Sequence, residues 1–184
     1  MKKIYWFLFL FVSMVVSLFF DKAILDFLIR FRYELLNSFF IIISHWSIVF
    51  ILVVIVSFVY FLKKWNSMLV FWTSVILSFL IATVLKLVFM RMRPDVLSLI
   101  TETGYSFPSR HAAILFAFLP ILFQDKKGIW VLVITIIISY SRIYLGVHYL
   151  SDVISGIIVG LGVGYFVLFL DKKSGIYERL VTKR

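Results

Sequence analysis

The sequence contains no cysteine and only three histidines, and it has few charged residues for its length of 184. The absence of cysteine excludes disulfides, thiolate catalysis and cysteine-based metal sites. Charged residues make up 15% of the chain, whereas a soluble protein carries about 25%. Hydrophobic residues make up 63%, and the mean hydropathy is +1.09. These values exclude an ordinary soluble domain.

Most of the sequence consists of long apolar segments. An apolar helix of about 20 residues is long enough to cross a bilayer. No small-residue cleavage site follows the first segment, so we expect a retained span rather than a signal peptide. The sequence predicts an all-α polytopic membrane protein, a single domain over residues 1–184 with a bundle of six transmembrane helices. The predicted spans cover residues 4–20, 37–62, 65–85, about 109–124, 128–140 and about 150–170.

The segment Asp21–Leu36 differs from these spans because charged residues alternate with apolar ones. Ile24, Leu28, Phe31 and Leu35 recur at helical spacing, with acidic and basic residues between them. This pattern predicts a short amphipathic helix in the membrane interface, after the first span. A packed amphipathic connector is an equally good interpretation.

Basic residues are distributed unevenly between the two predicted sides. Six spans with a cytoplasmic N-terminus place eleven of the nineteen basic residues and three of the nine acidic residues on one side. The positive-inside rule therefore predicts that both termini are cytoplasmic. The net charge of +10 does not indicate a nucleic-acid partner, because the chain is too hydrophobic. The protein is expected in the cytoplasmic membrane, with membrane lipids as its neighbours.

Three polar clusters then lie together on the extracytoplasmic side. Lys86 and Arg93 are seven residues apart and thus nearly on one helix face. The segment Pro108–His111 stands at a predicted helix start, where three backbone N–H groups, beginning with that of Ser109, would be unpaired and aimed at an anion. These two clusters are suited to binding a phosphate group.

The third cluster combines an arginine, a histidine and an aspartate within eleven residues. If the segment after Gly146 is helical, His148 and Asp152 lie at i and i+4 on one face. A carboxylate there can accept a hydrogen bond from one ring nitrogen and leave the other as nucleophile or base. Arg142, just before the Gly146 bend, could turn toward the same place as an anion clamp.

Burial of these cations requires a reason. Lys86, Arg93 and Arg142 would each cost about 2.5–3.5 kcal/mol inside a membrane, which favours a bound anion or a water-filled cleft. The alternative is that they snorkel at helix ends. For Arg91, as for Lys22 and Arg30, we expect such snorkelling at a helix end. We also leave His45 out of the site, because no motif surrounds it.

Together, the three clusters resemble the signature motifs of the type 2 phosphatidic acid phosphatase superfamily. The matching residues stand in the family's order and spacing within residues 86–152: Lys86, Arg93, Pro94, Pro108, Ser109, His111, Ser141, Arg142, His148 and Asp152. The resemblance implies a membrane phosphatase acting on a lipid phosphate or a polyprenyl diphosphate. Undecaprenyl diphosphate, phosphatidylglycerophosphate and phosphatidate all fit such a site.

The resemblance also implies roles. His148 would attack phosphorus and form a phosphohistidine, Asp152 would hold its tautomer, and His111 would act as general acid and then base. Three cations, Lys86, Arg93 and Arg142, with Ser109 and nearby amides, would bind the phosphoryl oxygens. No metal and no other cofactor is expected, because these cations fill the electrostatic role that Mg²⁺ has elsewhere.

One position departs from the family pattern, since Arg110 stands where glycine is usual. Its side chain could contact a second phosphate and favour a diphosphate substrate, or it could simply point to solvent. Two alternatives to the phosphatase stay open: a lipid-phosphate carrier or flippase using the same basic cleft, and vanadate-dependent peroxidase chemistry. A carrier would explain the cations but not the two histidines, and the membrane layout disfavours the peroxidase.

Overall fold

The structure, a computed structural model, describes residues 2–62, 64–125 and 128–174. These parts of the chain form helices joined by short connections, which confirms the predicted all-α class. Residues 175–184, which carry three of the basic residues that predict the orientation, lie outside the described residues. The helices are α1 (Lys2–Ile29), α2 (Glu34–Ile43), α3 (Trp46–Phe61), α4 (Trp65–Phe89), α5 (Arg110–Ala117), α6 (Leu119–Leu122), a 3-10 turn (Phe123–Asp125), α7 (Ile129–Tyr144) and α8 (Leu150–Ser174).

Three helices in the described residues are long and apolar enough to cross a membrane, namely α1, α4 and α8. A fourth span results if the bent pair of α2 and α3 counts as one. The remaining apolar helices, Arg110–Leu122 and Ile129–Tyr144, are shorter. The protein is therefore a membrane protein by helix length and composition, with three to four candidate spans by this criterion.

The predicted interfacial helix over Asp21–Leu36 is not a separate element. Helix α1 continues without a break through Asp21 to Ile29, and α2 begins at Glu34. The reason is that the Asp21 carboxylate is 3% exposed and accepts a hydrogen bond from the Ser151 backbone N–H at 2.9 Å. Its charge is used inside the protein rather than at the membrane surface.

The predicted second span is bent by 58° where α2 ends and α3 begins. His45 caps α3, because its Nδ1 atom accepts a hydrogen bond from the Ser47 backbone N–H at 3.3 Å. The preceding Ser44 is 2% exposed and presents its carbonyl and hydroxyl groups to the interior. The bend thus turns Ser44 toward residues of α5 and α7.

Helix α8 is the centre of the bundle and packs against α1, α4 and α5. Gly156, Gly160 and Gly164 lie one helical turn apart and face the α5 and α6 segment so closely that a Cβ atom on any of them would overlap its backbone. Glycine at these three positions is therefore what allows α8 to pack closely on this segment. Gly162 differs, because a Cβ there would meet nothing within 4 Å.

A hydrophobic core formed by α3 to α8 supports the polar end of the bundle. At that end the chain leaves α7 through Gly146, whose φ of +79° suits glycine and confirms the predicted bend. Arg32 fixes this turn by donating to the Tyr144 carbonyl at 2.9 and 2.7 Å, and to the Leu97 carbonyl at 2.6 Å. The turn therefore holds His148 against α8.

Candidate active site

Residues from all three sequence clusters line one small pocket at the polar end of the bundle. Helices α3, α4, α5 and α7, the loop before α5 and the turn before α8 all contribute side chains. Six of the eight candidate residues line this pocket, and Ser109 and Asp152 lie directly behind them. The lining residues are Trp46, Lys86, Arg93, Glu102, Arg110, His111, Arg142 and His148.

His148 and Asp152 form the core of the site. The His148 Nδ1 atom lies 3.4 Å from Asp152 Oδ2, longer than the roughly 2.7–3.2 Å of a typical N–H···O bond. Such catalytic hydrogen bonds are often long before substrate binds. Helix α8 begins at Leu150, so His148 precedes it rather than sharing its face with Asp152 as predicted. The turn nevertheless brings the two side chains together.

The surroundings of His148 favour a neutral imidazole. Burial lowers its pKa well below the ordinary value of 6.5, and the positive charges of Arg142, Lys86 and Arg93 lower it further. Because a carboxylate only accepts hydrogen bonds, the Nδ1 atom facing Asp152 carries the ring proton. In this tautomer Nε2 carries the lone pair, on the side of the ring away from Asp152, and a hydrogen bond to the Ser106 backbone acts to raise the pKa of the ring.

His111 is the second imidazole of the pocket and is 1% exposed. Its Nε2 atom lies 3.1 Å from the Ser44 carbonyl, so Nε2–H is the donor of that hydrogen bond. The Trp46 ring lies against it, with 3.9 Å between ring centroids. The bend between α2 and α3 therefore supplies both the polar and the aromatic neighbours that orient this ring.

Lys86 and Arg93 hold the loop before α5 while lining the pocket. Lys86 Nζ donates to the carbonyls of Tyr105 and Ser106 at 2.6 and 2.9 Å. Arg93 Nη1 donates to the Val147 carbonyl at 2.8 Å, next to His148. The two cations do not share a helix face as predicted, because α4 ends at Phe89. The chain folds back after that point and carries Arg93 to the same pocket.

Arg142 lies deepest among the cations and is 1% exposed. It donates to the Glu102 carboxylate and to the Ser44 hydroxyl. Its Nε atom is buried without a hydrogen-bond partner among the described residues, and so is the Ser109 hydroxyl. A buried polar group without a partner costs about 1–3 kcal/mol. Arg142 lines the pocket and Ser109 lies directly behind it, so one such buried group stands at the pocket and a second stands next to it.

The start of α5 differs in one respect from the prediction. The Ser109 backbone N–H is not free for an anion, because it donates to the Asp152 carbonyl at 2.9 Å. That bond joins the start of α5 to the first turn of α8. Ser109 is the N-cap residue, so the N–H groups of Arg110 and His111 lie in the first turn and have no acceptor within the helix.

The Arg110 side chain lines the pocket, which contradicts the simple alternative that it points to solvent. Its guanidinium group lies 5.5 Å from the Trp46 ring centroid and 5.7 Å from that of Phe79. The pKa of the adjacent Arg93 is lowered, mainly by burial. The Glu102 charge acts to raise this pKa, and the Arg110 charge acts to lower it. Arg110 is therefore one of the cations that make the pocket electropositive.

Several residues of the site were not found from the sequence, and Arg91 is the clearest correction. We expected it to snorkel, but it donates to Asp152 Oδ1 and Asp21 Oδ2, at 2.8 Å each. Glu102, Ser44 and Trp46 were also missed. No motif marks these residues, although the isolated Asp21 in an apolar segment is a signal that could have been followed.

Comparison with known proteins agrees with this geometry. A sequence model described as the PAP2 superfamily matches residues 67–175. The chain is 35% identical over 130 residues to phosphatidylglycerophosphatase B of Bacillus subtilis, covering 62% of each protein. It is 35% identical over 156 residues to a lipid A 4'-phosphatase of Porphyromonas gingivalis, covering 74% of this chain and 66% of that protein. Over 116 residues it is 33% identical to an undecaprenyl-diphosphatase of Sulfolobus acidocaldarius, covering 56% of each.

These alignments span about three fifths of the length of the curated relatives. Coverage is larger for a solved structure, the transmembrane PAP2 type phosphatidylglycerolphosphate phosphatase of Bacillus subtilis. That structure matches with a TM-score of 0.70 and 28% identity, over 91% of this chain and 96% of the other. The LpxE structure of Aquifex aeolicus, at 24% identity and a TM-score of 0.70, shows the same fold. The family match covers more than half of the chain, includes every residue that lines the pocket except Trp46, and shows that this membrane protein belongs to the PAP2 superfamily.

Proposed function

We propose that the protein is a membrane phosphatase that hydrolyses lipid phosphates or polyprenyl diphosphates through a phosphohistidine intermediate. One observation carries this proposal: two imidazoles and four buried or half-buried cations, from separate parts of the chain, line a single pocket. Phosphoryl transfer needs a positioned nucleophile and fixed positive charge around the phosphoryl oxygens. The pocket offers both.

In the first step, His148 Nε2 attacks phosphorus while the bond to the leaving oxygen breaks. Asp152 keeps the ring proton on Nδ1 and stabilises the positive charge that develops on the imidazole. The negative charge of the bound substrate favours a protonated His111, which gives its Nε2 proton to the leaving oxygen and becomes neutral; for this step Nε2–H exchanges the Ser44 carbonyl for the substrate.

In the second step, water attacks the phosphohistidine and releases inorganic phosphate. His111, now neutral, takes the proton from this water, so the two steps return the site to its starting state. Lys86, Arg93 and Arg142 bind the phosphoryl oxygens in both steps, together with the Ser109 hydroxyl. Loop carbonyls hold Lys86 and Arg93, and Glu102 and Ser44 hold Arg142. Little reorganisation is therefore needed, and the proposed mechanism uses no metal ion.

We propose further that all six apolar segments cross the cytoplasmic membrane, with both termini in the cytoplasm and the pocket on the extracytoplasmic side. The distribution of basic residues supports this orientation. Helices α5 to α7 are shorter than α1, α4 and α8; α5 and α6 are buried within the bundle, and α7 exposes one apolar face that suits contact with lipid. The substrate's tail can then stay in the lipid while its headgroup enters the pocket.

The named relatives support a lipid-linked substrate. They include a phosphatidylglycerophosphatase, a lipid A phosphatase and an undecaprenyl-diphosphatase. The carrier alternative has no such support. It also leaves unexplained why His148 faces Asp152 inside a pocket of cations.

The test is phosphate release from a panel of lipid phosphates by purified protein in the presence of EDTA. We expect His148→Asn to abolish release. The matched control is His45→Asn, at an exposed histidine outside the pocket, since asparagine retains the ability to cap α3. Activity retained by His148→Asn would contradict the assigned nucleophile. Absence of release from every lipid by the unmodified protein would favour the carrier.

A further inference from the structure

We propose that Arg110 makes the pocket selective for lipid diphosphates by binding the phosphate that stays attached to the lipid. The proposal rests on the phosphatase function above and adds the substrate class. It assigns a specific role to the residue at which the chain departs from its family's pattern. Position, lack of a partner and charge balance support it independently.

The first argument is position. Arg110 is the first residue of α5 and directly precedes His111, the proposed proton donor to the leaving oxygen. Its guanidinium lies over Trp46 and Phe79, and the Phe79 side chain is 37% exposed on the lipid-facing surface of α4. Arg110 therefore stands between the pocket and the surrounding lipid. A headgroup entering from the membrane meets it on the leaving-group side of the site.

The second argument is the lack of a polar partner. Lys86 and Arg93 donate to loop carbonyls, and Arg142 donates to Glu102 and Ser44. Among the described residues, no hydrogen-bond acceptor or carboxylate pairs with the Arg110 guanidinium, which lies over the Trp46 and Phe79 rings. Its five N–H donors are available for an anion, and a planar fork of this kind suits a phosphate.

The third argument is charge. Four cations line the pocket, namely Lys86, Arg93, Arg110 and Arg142, against the single carboxylate of Glu102. The difference is three positive charges. A phosphate monoester brings at most about two negative charges, whereas a second phosphate adds at least one more. A diphosphate therefore balances this pocket more closely than a monophosphate does.

The chemistry explains why this contact would act on the rate. With a diphosphate, His148 Nε2 forms a bond to the terminal phosphorus, and the bond from that phosphorus to the bridging oxygen breaks. The leaving group is the lipid monophosphate, which takes the electron pair of that bond and a proton from His111. Water then releases inorganic phosphate from His148. Arg110 stabilises the charge that develops on the oxygens of the departing phosphate, whereas a departing alcohol has no phosphate oxygens for Arg110 to bind.

The experiment compares a polyprenyl diphosphate with the monophosphate of the same chain length, in mixed micelles with purified protein. For each we measure kcat/KM with Arg110→Gln, Arg110→Gly and Arg110→Lys. We expect Arg110→Gln and Arg110→Gly to lower the diphosphate-to-monophosphate ratio at least tenfold, which corresponds to about 1.4 kcal/mol of transition-state interaction. Arg110→Lys should retain part of the preference. Arg30→Gln, which removes an exposed cation outside the pocket, is the matched control.

The outcomes separate the two proposals. A ratio unchanged in Arg110→Gln overturns the role of Arg110, whether both activities persist or both fall together. A ratio that falls equally in Arg30→Gln also overturns it, because the effect would then come from net charge. If the unmodified protein hydrolyses neither polyprenyl substrate but releases phosphate from another lipid of the panel, the role of Arg110 is overturned and the phosphatase function stands; release from no lipid of the panel refutes the phosphatase function itself. Retained monophosphate turnover in the variants shows that they are folded.

Discussion

Replacing Arg91 with methionine removes the cation that joins the first helix to the carboxylate behind the proposed nucleophile. Arg91 Nη1 donates to Asp152 Oδ1 at 2.8 Å and to the Ser151 hydroxyl at 2.6 Å. Its Nη2 atom donates to Asp21 Oδ2 at 2.8 Å. The Asp152 and Asp21 side chains are 0% and 4% exposed, so the substitution leaves two buried carboxylates without their shared cation.

The magnitude follows from this burial. Removing one partner of a buried ion pair costs about 3–5 kcal/mol. The Arg91 side chain is 26% exposed, so solvent screens part of the interaction and we take the lower end, about 3 kcal/mol. Most of this cost falls on the position of Asp152, and hence of His148. We expect kcat to fall about 100-fold, equivalent to about 2.7 kcal/mol.

The assay separates positioning from binding and from unfolding. KM should stay within about threefold, because the phosphate-binding cations are untouched. The ammonium group in Arg91→Lys can reach one carboxylate but not both. The kcat of this variant should therefore lie between those of the unmodified protein and Arg91→Met. Thermal unfolding in detergent tests whether the variants are folded, with Arg30→Met at an exposed arginine as the control. Asp21→Asn probes the same contact from α1.

Two results would refute this reasoning. One is an Arg91→Met variant that is folded and retains more than about half of kcat, since Asp152 would then not depend on Arg91. The other concerns the double variant Arg91→Met with Asp21→Asn. If the effects of its two substitutions simply add, the residues do not act through one contact.

Two further predictions concern pH and helix packing. Burial and the nearby cations lower the pKa of His148 well below 6.5, so the unfolded protein takes up a proton near that pH before the folded protein does. Thermal stability should therefore fall as the pH drops below about 6.5, and it should fall less in His148→Asn. In the pH profile of kcat/KM, the acidic limb due to His148 should have its midpoint below 6.5. A midpoint at or above that value would contradict the burial of a neutral ring. Gly160→Ala places a methyl group against the Ala113 carbonyl and should lower the free energy of unfolding by about 1–3 kcal/mol. At Gly162, where nothing lies within 4 Å, substitution by alanine should leave the free energy of unfolding unchanged or raise it by about 0.5–1 kcal/mol. Thermal unfolding measures both. Equal melting temperatures for these two variants would contradict the close packing of α8 on α5.

The helices and the three polar clusters could be predicted because each depends on local sequence. Apolar runs of sufficient length form helices in a membrane, where backbone groups have no other partners. The spacing of His148 and Asp152 needed no knowledge of distant residues. The error over Asp21–Leu36 shows the limit of such reasoning. An alternation of charged and apolar residues indicates the membrane–water interface only if the charged side chains are exposed to water. Asp21 is instead buried and accepts hydrogen bonds from Ser151 and Arg91.

Arg91 shows the same limit within the site. Its neighbours in the sequence suggest an arginine at a helix end, and nothing nearby indicates a partner. The two carboxylates that it contacts are 70 and 61 residues away. Ser44 and Glu102 are similar, since their roles depend on an α2–α3 bend and a loop that carry no motif.

The sequence by itself therefore determined that this chain is a helical membrane protein and which histidines, cations and aspartate carry its proposed chemistry. Those conclusions follow from hydrophobicity and from spacings of a few residues. The tertiary structure alone decided which charges meet, because burial pairs groups that are distant in the chain wherever water is excluded. It showed that Arg91 and Asp21 stand behind Asp152, and that Arg110 faces the pocket without a polar partner among the described residues.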